Sequence, residues 1–327
     1  MVNHRLNTDV FIKRVNKEEY DRLRPSDIID DKNLDLVKAV DELLGAVLPR
    51  DIKGLNILLK PNLLKSKDPL CITSWQLMAT VAVLLKNRGA KVTVGDSPAF
   101  GNAIQVLKAA GILDFFSKIG IACTGLSVPQ KIGLPCGLEI SISKKALETD
   151  IIFNLPRLKA HCQMGLTGAV KNLYGVVPGF RKALYHLLYG NESSLFARMI
   201  IEIGQQLPPT VNLMDAALCM HENGPSGGSP IWLGTVASSQ SAHALDTTFY
   251  NALGATPERI PIWEESQRMG IPYAFYQNIR FPWLSMEEIE ETANFRLPEE
   301  LDPIIFSPTR FIKGRVRSLL KGLAIGP

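Results

Sequence analysis

The fold of this chain is decided by residues 55–98, which read LNILLKPNLLKSKDPLCITSWQLMATVAVLLKNRGAKVTVGDSP. The apolar run Leu55–Lys60 predicts a buried strand, which ends where a proline follows. A capping box that begins at Thr73 predicts a helix, and Gly89 stops it. Lys91–Gly95 predicts the next strand. A strand, a helix and a strand in this order predict a parallel sheet covered by helices.

The same alternation extends on both sides of this unit. The predicted strands are Val10–Val15, Leu55–Lys60, Lys91–Gly95, Gly137–Ile142, Asp150–Leu155 and Val211–Ala216, and the predicted helices are Asn33–Leu48, Thr73–Lys86, Asn102–Ala110 and Asn191–Gln206. We expect an α/β fold with a mostly parallel, helix-covered sheet, a second α/β lobe and a cleft between the lobes. Since 327 residues exceed one ordinary core, the predicted division is an N-terminal lobe at 1–150, a second lobe at 151–300 and a basic amphipathic tail at 301–327.

Three strand exits carry unusual polar sequences, and the carboxyl ends of parallel strands are where such sheets bind ligands. These exits are KPNLL at 60–64, GDSP at 95–98 and NLPRLKAH at 154–161. Asp96 in the second exit has three readings: it orients a histidine or lysine, binds a ribose hydroxyl, or caps the following helix.

The segment 151–190 contains no Asp or Glu, although the chain has 32 acidic residues. It carries several lysines, arginines and histidines around the glycine-rich run GLTGAVKNLYGVVPG at 165–179. Backbone N–H groups can approach an anion where no Cβ intrudes, and basic side chains supply the charge. The segment therefore predicts an anion-binding loop, and the alternative is a solvated basic surface loop.

Imidazole titrates near neutral pH, and a buried lysine needs a counter-charge. We interpret His161 as a general acid/base and Lys171 as an anion clamp or covalent anchor. The predicted catalytic residues are His161, Lys171 and His186, and the predicted ligand-binding residues are Lys60, Asn62, Asp96, Ser97, Lys159, Thr167, Gly168, Asn172, Asn223, Gly224, Ser226 and Gly227.

Composition excludes several classes of protein. The net charge of +4 is small for this length, and the basic residues are not interleaved with stacking aromatics as in nucleic-acid binders. No apolar run reaches transmembrane length and the start has no signal core, so a cytoplasmic location is expected. The five scattered cysteines contain no CxxC, which argues against an iron–sulfur cluster or a zinc site. We predict no metal site.

The strings KPNLL, VGDSP, NLPRLKAH, TGAVKNLYGVVPG and ENGPSGG resemble the domain of unknown function 362 (DUF362) family over residues 10–270. The TGAVKNLYGVVPG string is highly specific to that family, whose members sometimes carry an extra ferredoxin-like domain. The family has no generally established reaction. Two positions differ from its pattern: His221-Glu222 replaces an acid–glycine pair, and Ser241-Ala242 replaces Asp-Pro, with Asp246 kept.

The chain is also similar, more distantly, to nickel-pincer lactate racemases. His161, Thr167-Gly168, Lys171 and His186 fall in a similar order and spacing to a histidine, an SGG-type loop with a cofactor-holding lysine, and a later histidine. The likeness implies a shared two-domain scaffold. A nickel-pincer cofactor or a flavin follows only as a resemblance, and the residues themselves leave the cofactor unknown.

The expected function is an enzyme that acts on a small carboxylated or phosphorylated molecule or cofactor in the cleft, by proton transfer or redox chemistry. The alternative is a non-catalytic module that carries an anionic cofactor and docks on a partner protein. The basic helix predicted at residues 308–327 suits a partner protein or an anionic membrane surface.

Overall fold

The structure is a computed structural model that describes residues 8–66, 68–98 and 101–302. The predicted helix at 308–327 and its contacts lie outside these ranges. The strands are β1 Phe11–Arg14, β2 Asn56–Pro61, β3 Lys91–Asp96, β4 Ala122–Gly125, β5 Pro129–Gly133, β6 Glu139–Ser143, β7 Ile151–Leu155, β8 Arg157–His161, β9 Gly165–Thr167, β10 Thr210–His221 and β11 Ser229–Ser239. The α-helices are α1 Lys17–Arg22, α2 Asp27–Asp30, α3 Asp35–Val47, α4 Trp75–Asn87, α5 Ala103–Ala109, α6 Leu113–Lys118, α7 Lys144–Leu147, α8 Ala169–Leu173, α9 Arg181–Tyr189, α10 Ser193–Gln205, α11 Ala242–Ala252 and α12 Pro261–Arg268. Short 3₁₀ helices occupy Pro69–Cys71, Tyr174–Val176, Pro257–Arg259, Pro272–Ala274, Tyr276–Asn278, Met286–Glu288 and Glu290–Asn294.

Within the described ranges, one large sheet runs in the order β1-β11-β10-β7-β2-β3-β4, with β8 paired to β10 and β9. The pairs β10–β7, β7–β2, β2–β3 and β3–β4 are parallel, and β1–β11, β11–β10 and β8–β9 are antiparallel. The expected mixed α/β fold with a mostly parallel sheet is therefore confirmed. The sheet takes strands from both sides of residue 150, and the predicted division into lobes stays a prediction.

The sheet is covered on both faces, which explains why its central strands are apolar throughout. Ile57 and Leu59 of β2 pack in one core cluster with α3 and α4. Leu58, which points the other way, packs in a second cluster with α8 and α10. No helix in the described part of the chain is long and apolar enough to cross a membrane.

The start of α4 differs by one residue from the predicted capping box. Ser74 is the N-cap, and its Oγ accepts a hydrogen bond from the N–H of Leu77. Thr73 instead accepts a hydrogen bond from the N–H of Asn62 at 2.8 Å and donates one to the carbonyl of Leu155 at 2.6 Å. Its hydroxyl therefore ties together the segments that follow β2 and β7.

The acid-free segment is not a surface loop. Arg157–His161 and Gly165–Thr167 are the buried strands β8 and β9, and Ala169–Leu173 is the helix α8. From residue 151 to 178 the segment belongs to the interior, because its apolar residues pack into the core clusters around the sheet.

Candidate functional site

A cleft of about 340 Å³ opens at the carboxyl ends of β2 and β3. The neighbouring strands β2 and β7 are where the strand order reverses, which is the usual ligand position in an open α/β sheet. The cleft is lined by Asn62, Leu63, Leu64, Asp96, Ser97, Pro98, Lys159, His161, Gln163, Thr167, Lys171, Asn172, Tyr174, Gly175, Lys182, Ala183, His186 and Pro225.

An ion pair between Lys60 and Asp96 forms the floor of the cleft. Lys60 Nζ lies 2.9 Å from Asp96 Oδ1, and both side chains are buried. Asp96 Oδ2 also accepts a hydrogen bond from the N–H of Leu63 at 2.9 Å. Burial lowers the pKa of Lys60, and the Asp96 carboxylate opposes that shift. Lys60 is therefore positioned to hold Asp96 rather than to contact a ligand. Of the three readings of Asp96, the pairing with a lysine is the one that the structure shows.

Gly175 lets the backbone after α8 approach this ion pair closely. A Cβ at residue 175 would lie 2.5 Å from Asp96 Oδ1 and closer still to the Lys60 ammonium. The carbonyl of Gly175 accepts a hydrogen bond from Lys182 Nζ at 3.2 Å. Gly175 is therefore required for close packing against Lys60 and Asp96, two side chains of the protein itself.

Lys159 enters the cleft from β8. Its ammonium donates hydrogen bonds to the carbonyl of Cys71 at 3.0 Å and to Asn62 Oδ1 at 3.3 Å. Burial lowers the pKa of Lys159 to about 8, the Cys71 thiol opposes the shift, and the nearby Arg157 guanidinium adds to it. Asn62 is therefore oriented by Lys159, and the pair presents one amine and one amide to the cleft.

Lys171 lies in the cleft over an aromatic surface. Its Nζ is 4.4 Å from the ring centre of Tyr174 and 5.9 Å from that of Phe196. Within the described ranges, no carboxylate lies within ion-pair distance of this ammonium. Burial lowers the pKa of Lys171 to about 7, with further lowering by the Lys182 and Lys159 charges. An amine with this pKa exchanges a proton readily at neutral pH.

Lys182, on α9, is a cleft residue that was absent from the predicted site. Its ammonium donates hydrogen bonds to the carbonyls of Ser97 and Gly175. Burial lowers the pKa of Lys182 to about 8, although Asp96 opposes the shift. The signal that could have found it is the spacing of Lys182 and His186, which places both on one face of a helix in the acid-free segment. Tyr174 was missed as well, and its hydroxyl donates a hydrogen bond to the carbonyl of Lys182 at 3.1 Å.

Both predicted histidines line the cleft, but in the uncharged form. Burial, with smaller contributions from Lys171 and Lys159, holds the pKa of His161 well below its ordinary value. Burial also lowers the pKa of His186 to about 3, where its ring lies 4.4 Å from that of Phe196. His161 Nδ1 accepts a hydrogen bond from the N–H of Gln163, which assigns the remaining proton to Nε2. His161 is thus a hydrogen-bond donor, and the group that titrates near neutrality is Lys171.

Thr167, Asn172 and Ser97 line the cleft and also hold its walls together. Thr167 Oγ1 donates a hydrogen bond to the carbonyl of Lys159 at 3.3 Å, and Ser97 Oγ accepts one from the N–H of Gly179 at 2.6 Å. Asn172 Nδ2 donates to Asn154 Oδ1 at 2.8 Å. These hydrogen bonds connect the segments that form the walls of the cleft. The cleft lysines Lys159, Lys171 and Lys182 are therefore held on or beside fixed elements.

The structure does not place Gly168 in the cleft. The carboxylate of Asp246 packs against it and accepts hydrogen bonds from the N–H groups of Ala169 at 2.5 Å and Val170 at 2.9 Å. The first N–H groups of α8 are therefore already bound by a carboxylate of the chain itself. Burial raises the pKa of Asp246 to about 7, and these two N–H groups oppose the shift.

The loop at residues 222–228, which carries the ENGPSGG string, contributes only Pro225 to the lining of the cleft. Four predicted ligand-binding residues of this loop therefore lie outside the cleft: Asn223, Gly224, Ser226 and Gly227. The backbone of Gly224 lies so close to the Ala160 carbonyl that a Cβ would collide with it. The N–H of Gly227 donates to Asp68 Oδ2 at 3.0 Å rather than facing the cleft. The glycines of this loop serve packing against β8 and against the 3₁₀ helix that follows β2.

Within the described ranges, no group of three or more His, Cys, Asp or Glu side chains is arranged to hold a metal ion. His221-Glu222, which differs from the family pattern, lies at the end of β10. There Glu222 accepts a hydrogen bond from Ser229 Oγ at 2.6 Å.

The three cleft lysines predict an unusual pH dependence of stability. Their pKa values in the folded protein are about 7 to 8, below the ordinary value near 10.5 that holds in the unfolded chain. Above about pH 7 the unfolded chain binds more protons at these lysines, so the free energy of unfolding increases with pH from about 7 to 8.5. At higher pH the five thiols, whose pKa values burial raises, oppose this increase. The limit is about 1.4 kcal/mol per pH unit for each lysine.

Urea denaturation at stepped pH measures this slope. Lys171→Met is expected to flatten it, whereas Lys131→Met, which removes an exposed lysine paired with Glu139, leaves it unchanged. A free energy of unfolding that is level or falls between about pH 7 and 8.5 would contradict the assignment.

The chain is similar in sequence to one described protein family and to one named protein. Residues 57–251 match the sequence profile described as "Domain of unknown function (DUF362)". A protein of Synechocystis sp. named as thylakoid-associated is 34% identical over 264 residues, which cover 80% of this chain and 81% of that protein.

Two solved structures are similar at low identity. The lactate racemase apoprotein from Thermoanaerobacterium thermosaccharolyticum is 14% identical with a TM-score of 0.44, over 75% of this chain and 57% of that one. A Thermotoga maritima protein from structural genomics is 12% identical with a TM-score of 0.40, over 68% and 56%. The chain thus spans little more than half the length of these two structures.

Proposed function

The chain belongs to the family described as Domain of unknown function (DUF362). From the geometry of its cleft, we propose that it is an enzyme whose substrates are small anionic molecules. The substrate carries a carboxylate or phosphate, and the reaction transfers a proton at a carbon next to a carbonyl group. A cytoplasmic location, as expected from the sequence, is part of the proposal.

The observation that carries the proposal is the excess of amines over acids around one cavity. Lys159, Lys171 and Lys182 line it, whereas the acid among its described lining residues is Asp96, which already pairs with Lys60. Buried ammonium groups without a counter-charge are unfavourable, and an anionic ligand supplies that charge. Binding an anion at Lys159 and Lys182 would therefore raise their lowered pKa values and take up protons.

The proposed roles follow from the state of each group. Lys159 and Lys182 hold the anionic group of the substrate. Lys171, as a free amine, removes the proton from carbon and returns it, so that the enzyme is regenerated. His161 donates the Nε2–H to the oxygen on which negative charge develops. Proton transfer is proposed rather than redox chemistry because an amine with a pKa near 7 can both accept and return a proton at neutral pH.

Calorimetric titration tests the binding step with inorganic phosphate, pyrophosphate and oxalate as probes. At pH 8 the apparent enthalpy should vary with the ionisation enthalpy of the buffer, which reports proton uptake on binding. Lys182→Met is expected to weaken binding at least about tenfold, because a charge-assisted contact is lost. If none of these anions binds, or binding leaves the protons unchanged, the proposal is wrong.

Proton exchange tests the chemical step. The probe is loss of hydrogen next to the carbonyl of 2-oxo acids in D₂O, followed by NMR. Lys171→Ala and His161→Ala should each slow the exchange about 100-fold, and Lys131→Ala serves as the control. The carrier alternative predicts another pattern, in which Lys171→Ala weakens anion binding and His161→Ala leaves it nearly unchanged.

A further inference from the structure

Four large apolar side chains are exposed together beside the cleft. They are Phe180, directly before α9, and Leu184, Leu187 and Leu188 within it, with 49%, 40%, 46% and 55% of their surface exposed. The described part of the chain has three other exposed side chains of this kind, and they lie elsewhere in the sequence. The spacing of the four places them on one face of the helix. We call this surface the α9 face.

The opposite face of α9 packs against the protein and lines the cleft. Tyr185 is buried, and Lys182, Ala183 and His186 line the cleft. The orientation of α9 is therefore fixed by the cleft, and the α9 face has no role in packing the described residues. Exposed apolar patches of this kind mark interaction surfaces.

The charged residues of α9 itself, Arg181 and Lys182, are positive. No Asp or Glu occurs between residues 151 and 190, and Glu192 is the first acid that follows. The Arg181 guanidinium lies 5.1 Å from the ring centre of Phe180. An apolar stripe with a cation at its border matches helices that lie in the interface of an anionic bilayer.

We infer that the α9 face docks on the surface of an anionic lipid bilayer. A protein partner is the weaker match, because protein interfaces combine apolar contact with specific hydrogen bonds and aromatic anchors. The four side chains offer only alkyl groups and one phenyl ring. A bilayer requires apolar area and attracts the cation, and both are present. The inference does not depend on the proposed reaction.

Co-sedimentation of the full chain with vesicles tests the inference. One set of vesicles is phosphatidylcholine alone, and the other contains phosphatidylglycerol as well. The triple variant Leu184→Ser, Leu187→Ser, Leu188→Ser is expected to lose binding to the anionic vesicles at least about tenfold, since it removes most of the apolar area. Ile29→Ser and Val128→Ser remove exposed apolar side chains elsewhere and should bind as the wild type does.

Two further measurements make the outcome decisive. Arg181→Gln should weaken binding to anionic vesicles and leave the weak binding to neutral vesicles unchanged. Leu188→Ser, the most exposed of the four positions, is the substitute if the triple variant does not fold. Residues 308–327 are present in every variant. If the leucine variants bound vesicles as the wild type does, the binding would come from another part of the chain, and this result would overturn the inference. Absence of binding by the wild type would do so too, as would a wild-type dimer in sedimentation velocity that these variants dissociate.

Discussion

Gly175→Ala is expected to destabilise the protein by about 3 to 5 kcal/mol, far more than a glycine-to-alanine change usually costs. The new Cβ would lie 2.5 Å from Asp96 Oδ1 and closer to the Lys60 ammonium. Lys60 has no exposed surface, and Asp96 is fixed by the N–H of Leu63. Neither side chain can move aside without separating a buried ion pair.

Urea denaturation of the variant measures this cost. Gly133→Ala is the matched control, because a Cβ at residue 133 meets no atom within 4 Å. That variant is expected to stay within about 0.5 kcal/mol of the wild type. Gly175→Ala should also change the pH dependence of unfolding, since the Lys182 ammonium donates to the carbonyl of the same residue. A stability equal to that of Gly133→Ala would show that the ion pair can relax.

The strand exits could be read from the sequence because their positions depend on local pattern and topology. The ends of parallel strands meet at one edge of a sheet, so KPNLL at 60–64 and GDSP at 95–98 had to be neighbours. Asn62, Asp96 and Ser97 accordingly line one cleft. The partner of Asp96 was only one of three readings that the sequence left open, and the structure shows that it is Lys60.

The meaning of the glycines could not be read in the same way. A glycine shows that something approaches the backbone closely, but it does not show what approaches. Gly168 meets the carboxylate of Asp246, and Gly224 meets the backbone of Ala160. Sequence reasoning assigned both to a ligand because it could not see the elements that pack against them.

The protonation states were equally outside the reach of sequence. His161 and His186 were expected to titrate near neutral pH, as free imidazole does. Their pKa values are lowered by burial and by lysines that come from other elements. Lys171 moves to a pKa of about 7 for the same reasons. Desolvation and the distance between charges are tertiary properties, so residue type alone could not show which of the three predicted catalytic residues has a pKa near 7.

Asp246→Ala is expected to destabilise the protein by at least about 3 kcal/mol and to displace Lys171. The Asp246 carboxylate accepts hydrogen bonds from the N–H groups of Ala169 and Val170 and from the hydroxyl of Tyr250 at 3.3 Å. Removal leaves three buried donors without their acceptor, at about 1 to 3 kcal/mol for each. Because these N–H groups begin the short helix α8, its position on the sheet depends on them.

Thermal unfolding and phosphate titration of Asp246→Ala measure the two effects together. Anion binding should weaken although Asp246 does not line the cleft, because α8 carries Lys171 and Asn172. Thr248→Ala is a control on the same helix, since it deletes one buried hydroxyl whose bond lies within α11. That variant is expected to lose about 1 kcal/mol and to bind phosphate normally. If Asp246→Ala lost stability alone, with anion affinity intact, then the carboxylate would secure the fold without setting the position of the Lys171 amine.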